Sequence, residues 1–125
     1  MKKHVLFGLV AGVALMAGVS AASAQSAAEG EKVFKQCKVC HSLEAGKKGV
    51  GPSLSGLIGR KSGSLEGFAY SPAMQGAGVT WDEANLLKYI ADPKGFVAGN
   101  KMAFAGVKKE EDLKNVVAYL LEAAK

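Results

Sequence analysis

The segment Cys37-Lys38-Val39-Cys40-His41 holds the only two cysteines of the chain and one of its two histidines. On a helical turn, positions i, i+3 and i+4 share one face, so this spacing aims two thiols and an imidazole at one flat partner. C-x-x-C-H is the pattern that attaches a haem covalently: the thiols add across two vinyl groups while the imidazole reaches the iron. One short segment then supplies both the tether and a first axial ligand. The rest of the chain must fold around a large, rigid, apolar disc.

The domain that does so begins after a leader. Lys2 and Lys3 form a basic start, Val5 to Val19 is an apolar run, and Ala22-Ser23-Ala24 is a small-x-small cleavage signal. Residues 1–24 therefore read as a cleaved secretory signal peptide, leaving a single domain over 25–125. A retained anchor is the alternative. The run is short against the roughly 20 residues a bilayer span needs, and it contains Gly8, Gly12 and Gly18.

Two cysteines in an exported chain would ordinarily suggest a disulfide. A bridge across C-x-x-C closes so small a loop that it constrains the unfolded chain little, which favours a chemical role. Structural zinc wants four N/S ligands, and past the leader no Cys or His remains beyond Cys37, Cys40 and His41. A dithiol oxidoreductase places C-x-x-C at a helix N-terminus, in a thioredoxin-like βαβ setting. Here the motif falls at the end of an expected helix, with no β pattern around it. Covalent haem is preferred over these and over chance juxtaposition.

Ser26-Ala27-Ala28-Glu29 reads as a capping box opening a helix through about Val39. From Ser42 to Gly67 no helical or strand period is sustained, and closely spaced glycines mark loops and turns. Ser71-Pro72 suits the N-cap and first position of a short helix ending by Gly76. Thr80-Trp81-Asp82-Glu83 reads as a second capping box, and its helix stops before Pro93. Lys94 to Val107 is expected to be irregular. Glu110, Glu111 and Asp112 then open a last helix, with Leu113, Val116, Val117, Leu120 and Leu121 on its apolar face. Nothing alternates with period two, so the fold class expected is all-α, with long loops. Such loops inside a compact domain usually carry function, and wrapping a cofactor is one way to make them tolerable.

Outside the leader the chain has two methionines, Met74 and Met102. A helical methionine is more often core than ligand, whereas one in a loop between Gly99 and Gly106 can be aimed freely. On the residues alone Met102 is preferred as sixth ligand, with Met74 still open.

From Gly30 to Tyr119 the sequence resembles the small class I c-type cytochromes: mitochondrial-type cytochrome c and its periplasmic counterpart in photosynthetic and related bacteria. The likeness rests on Cys37-Lys38-Val39-Cys40-His41, Gly51-Pro52-Ser53-Leu54-Ser55-Gly56-Leu57, Gly59-Arg60-Lys61-Ser62-Gly63, Gly67-Phe68-Ala69-Tyr70, Val79-Thr80-Trp81 and Lys101-Met102-Ala103-Phe104-Ala105-Gly106, in that order. It implies a cytochrome c fold, three main helices with long loops around one haem c held by Cys37 and Cys40. It also implies His41 and Met102 as axial ligands, with the Pro52 carbonyl accepting from the His41 ring. Arg60, Tyr70 and Trp81 would hold the haem propionates. Tyr89 would lie beside Met102, Phe104 over the haem edge, and Gly30 and Phe34 where the first helix crosses the last at Val116 and Tyr119. Two positions depart from the mitochondrial pattern: Met74 stands where asparagine is common, and Asn100 where a hydroxyl residue often precedes the Lys-Met pair.

His/Met ligation leaves no open site on the iron and raises its potential. The implied function is outer-sphere, one-electron transfer in the periplasm by a monomeric carrier that is not an enzyme. Lys32, Lys35, Lys38, Lys94, Lys101, Lys108 and Lys109 fall in segments placed near the haem edge, where positive charge would steer acidic docking faces. Candidate partners are a cytochrome bc-type complex, a terminal oxidase, a photosynthetic reaction centre and a periplasmic dehydrogenase. Dispersed charge in an exported chain disfavours nucleic acid, and stable membrane insertion is not expected. A haem peroxidase or a ligand sensor would need a vacant or displaceable axial position, against which Met102 argues.

Overall fold

The computed structural model describes residues 25–125 together with Gly8 and Gly12; apart from those two glycines the expected signal peptide lies outside the described residues. The first helix, α1 (Ala27–Phe34), starts where the capping box places it, with Ser26 Oγ accepting from the Glu29 amide at 3.1 Å. Glu29 does not complete the box. Its carboxylate pairs with Lys32, and the Ser26 amide donates instead to Asn115 Oδ1 at 2.9 Å.

The helix also ends earlier than Val39. The amides of Lys35 and Gln36 reach back only three residues, to Lys32 and Val33, at 3.4 Å, a tightening common at helix ends. The chain then re-forms one turn at the motif: the Cys37 carbonyl accepts from Cys40 N at 3.1 Å and from His41 N at 2.9 Å. The one-face argument survives on that turn rather than on a continuous helix.

Two short helices and one longer one follow. α2 (Pro72–Gln75) is capped by Ser71, with Pro72 in its first turn, as expected. α3 (Glu83–Ala91) is capped by Asp82, whose Oδ1 accepts from Asn85 N at 2.8 Å, and not by Thr80. Thr80 cannot cap the helix because Trp81, which would be its first residue, is paired instead with Arg60 and Gly59, beside an isolated antiparallel bridge between Thr80 and Lys61. The flanking bonds Trp81 N to Arg60 O, 2.9 Å, and Gly59 N to Trp81 O, 2.8 Å, staple the two loops together. α4 (Pro93–Phe96) is a turn of helix inside the stretch expected to be irregular. Pro93 ends α3 and, with Asp92 as N-cap, also starts the next turn.

α5 (Glu110–Ala123) crosses α1. Phe34, Val116 and Val117 are buried there, and the Phe34 and Tyr119 rings lie 5.2 Å apart. A Cβ on Gly30 would overlap the Asn115 carbonyl, so the two backbones approach as only glycine permits. The C-terminal end of α5 receives the first long loop: Ile58 N donates to Ala124 O at 3.1 Å, and Ala124 is fully buried. Among the described residues there is no strand, and the all-α expectation holds.

Candidate cofactor site

Between these helices and the loops lies a cavity of about 290 Å³. All eight residues expected at a haem line it: Cys37, Cys40, His41, Pro52, Arg60, Tyr70, Trp81 and Met102. Phe34, Leu57, Met74, Leu86 and Leu120 make most of its remaining wall apolar, and Phe104 and Tyr89 also face it. Residues as far apart in the chain as Phe34 and Leu120 thus converge on one space.

The His41 ring is held from behind. Its Nδ1–H donates to the Pro52 carbonyl at 2.7 Å; a carbonyl can only accept, so the Nε2 lone pair of the neutral ring is available for a metal. Burial pushes the His41 pKa down, the Pro52 carbonyl opposes this, and the Arg60 charge adds to the lowering. A Cβ on Gly51 would strike the imidazole, so glycine there makes room for the ring. That role was readable only as part of the Gly51-Pro52 motif, not from Gly51 alone.

Arg60 lines the cavity but is partly engaged by the wall: Nη2 donates to Ser53 O at 2.9 Å and Nη1 to Ser55 O at 3.4 Å. Burial lowers its pKa, with the neighbouring Tyr70 opposing the shift. The Tyr70 hydroxyl accepts from Leu65 N at 3.3 Å, which leaves its own proton for a further acceptor. Trp81 is buried, its ring 4.9 Å from that of Tyr89. Tyr89 Oη donates to Met102 Sδ at 3.7 Å, and burial pushes its pKa up to about 12, so it is a donor at neutral pH.

Cys37 and Cys40 form no disulfide with each other, and burial raises the Cys37 pKa, with Cys40 adding to the rise. Among the described residues no group of three or more His, Cys, Asp or Glu side chains could hold a bare metal ion, so the zinc alternative lacks a ligand set. An apolar space bounded by two thiols, an imidazole with Nε2 available and a thioether fits a haem attached through its edge.

The lysines divide. Lys94 Nζ donates to Asn100 O at 3.1 Å and Met102 O at 3.3 Å, and Lys108 Nζ to Ala91 O at 3.0 Å. Lys32 pairs with Glu29 at 3.1 Å. Lys35, Lys38, Lys101 and Lys109 are exposed.

The cytochrome c family model matches residues 27–124. The chain is 51% identical over 119 residues to cytochrome c2 of Blastochloris viridis, covering 94% of this chain and 91% of that one. It is 52% identical over 92 residues to cytochrome c-550 of Nitrobacter winogradskyi, covering 73% and 84%. Cytochrome cH from Methylobacterium extorquens superposes with a TM-score of 0.73 at 45% identity, over 77% of this chain and 97% of that one. The chain belongs to the cytochrome c family. It carries one covalent haem c and works as a one-electron shuttle.

Proposed function

We propose that Cys37 and Cys40 are the thioether anchors and His41 and Met102 the axial ligands of a periplasmic electron carrier that is not itself an enzyme. The observation that carries this reading is the convergence of all four on one apolar cavity, with the His41 Nδ1–H tied to Pro52 and the Met102 sulfur facing the Tyr89 hydroxyl.

When bound, haem supplies the one-electron couple. The chain's own groups do the rest. Pro52 holds the imidazole in one tautomer and orientation, and makes it a better donor. Tyr89 restrains the sulfur, and the apolar wall excludes water. Arg60, Tyr70 and Trp81 present N–H and O–H groups suited to the propionates. With both axial positions filled by side chains, no coordination site is left for a substrate.

Lys35, Lys38, Lys101 and Lys109 supply positive charge for brief docking with acidic faces, such as those of a cytochrome bc-type complex, a photosynthetic reaction centre, a terminal oxidase or a periplasmic dehydrogenase. Such transient redox contacts bury less than about 1,200 Å². Export follows from residues 1–24 read as a cleaved signal peptide. No helix among the described residues is long and apolar enough to cross a membrane.

The test is the absorption spectrum of the ferric protein. A sulfur-to-iron charge-transfer band is expected, and Met102→Ala abolishes it while conferring peroxidase-like activity. Retention of the band in Met102→Ala would show the ligand assignment to be wrong. Oxidation and reduction rates with candidate membrane complexes are expected to fall as salt rises.

A further inference from the structure

Asn100 is 5% exposed, yet every polar group of its side chain is used. Its Nδ2 donates to the carbonyls of Pro93 and Val97, both at 2.8 Å, and its Oδ1 accepts from the Met102 amide at 2.9 Å. The first two partners belong to α4 and its C-cap; the third is the residue read as sixth ligand. From the same short helix Lys94 reaches over to the carbonyls of Asn100 and Met102. The Met102 amide is therefore held by a side chain anchored on α4, its carbonyl is shared between Lys94 and the Phe104 amide at 3.0 Å, and its sulfur faces Tyr89.

We propose that Asn100 is a positioning residue which, with Lys94, clamps the Met102 backbone and thereby sets how readily Met102 yields its place to an incoming ligand. The inference rests on the assignment of Met102 as ligand.

The chemistry of the side chain makes the clamp specific. A carboxamide offers two N–H donors and a carbonyl acceptor in one plane. Threonine or serine has a single hydroxyl proton and cannot donate to both Pro93 and Val97. Aspartate keeps the acceptor for the Met102 amide but turns the other end into an oxygen facing two carbonyls. A buried, unsatisfied polar group is costly, and this one lies where relief comes from moving the loop. In this chain the amide ties the methionine loop to α4.

The experiment is titration of the ferric holoprotein with free imidazole, read by loss of the sulfur-to-iron band, in wild type, Asn100→Asp, Asn100→Ser, Lys94→Ala and Asn115→Ala. Asn115 is equally buried and also accepts from a backbone amide, but at the α1–α5 crossing. It controls for general loss of stability. Imidazole affinity is expected to rise about tenfold in Asn100→Asp, the worth of one to two net hydrogen bonds, and about threefold in Lys94→Ala, because Lys94 is exposed and the Met102 carbonyl keeps the Phe104 amide. It should rise less in Asn100→Ser and stay within twofold of wild type in Asn115→Ala.

Affinity within twofold of wild type in both Asn100→Ser and Lys94→Ala overturns the clamp, as does an equal rise in Asn115→Ala. Should Asn100→Asp fail to fold, Lys94→Ala and Asn100→Ser still decide the matter. The ligand reading fails by a different sign: wild type lacking the band, or Met102→Ala keeping it.

Discussion

The Tyr89 hydroxyl points its proton at the Met102 sulfur across 3.7 Å, from a helix thirteen residues earlier in the chain. A donor on the thioether withdraws electron density and makes the sulfur a poorer partner for ferric iron. Tyr89→Phe keeps the ring and removes the donor. The reduction potential is expected to fall by about 20–60 mV, one hydrogen bond's net worth on a one-electron couple, as read by redox titration. A rise would show that the hydroxyl does not act through sulfur.

Met74 is buried and lines the same cavity. An apolar group there disfavours the extra positive charge of the oxidised state. Met74→Asn is expected to lower the potential by roughly 20–50 mV; an unchanged or higher value would refute the argument.

Gly51→Ala tests the room left for the His41 ring. The added methyl meets the imidazole and displaces it from the Pro52 carbonyl. Stability should drop by about 1–3 kcal/mol in denaturant titration, the usual cost of overpacking. The potential should rise, because the ring loses the bond that makes it a stronger donor.

Gly30→Ala isolates the helix crossing. The methyl would overlap the Asn115 carbonyl, and backbone cannot swing aside as a side chain can. Unfolding experiments are expected to show a loss of about 2–4 kcal/mol. The four residues proposed to hold the haem, Cys37, Cys40, His41 and Met102, lie outside the crossing, although Phe34 joins crossing and cavity wall, so the sulfur-to-iron band should remain that of wild type.

The pKa of Tyr119 is raised above its ordinary value of 10.0, first by burial and then by the Glu31 charge. The folded state therefore holds this proton at pH values where the unfolded chain has released it. The associated stability is fully present below pH 10 and is lost as pH rises through the folded pKa. Ultraviolet titration of tyrosinate, with Tyr119→Phe as reference, should locate this step above 10. Glu31→Gln should move it downward.

Much of the proposed site can be read from residue order, because haem chemistry needs particular atoms. Only thiols form the thioethers, only a few side chains ligate iron, and Cys37, Cys40, His41 and Met102 nearly exhaust the supply. The long, glycine-rich loops were equally plain: a chain lacking any sustained period there must owe its order to something other than helix or sheet. Helix limits were less so. Val39 was expected within α1, but the three-residue bonds at Lys35 and Gln36 end it sooner. Thr80 looked like an N-cap, but Trp81 pairs with Arg60 and Gly59 and the helix starts only after Asp82.

Spacing along the chain specified which atoms could hold a haem, since that depends on residue type and on the geometry of one turn. The company those atoms keep was decided only by the tertiary structure. Nothing local brings Tyr89 to Met102, Pro52 to His41 or Asn115 to Ser26. Lys94 and Lys108, which look like surface charge in the sequence, turn onto backbone carbonyls that folding brings within their reach. Asn100 looks like one more polar loop residue until the loop closes over it, and only then do its three bonds meet three backbone groups.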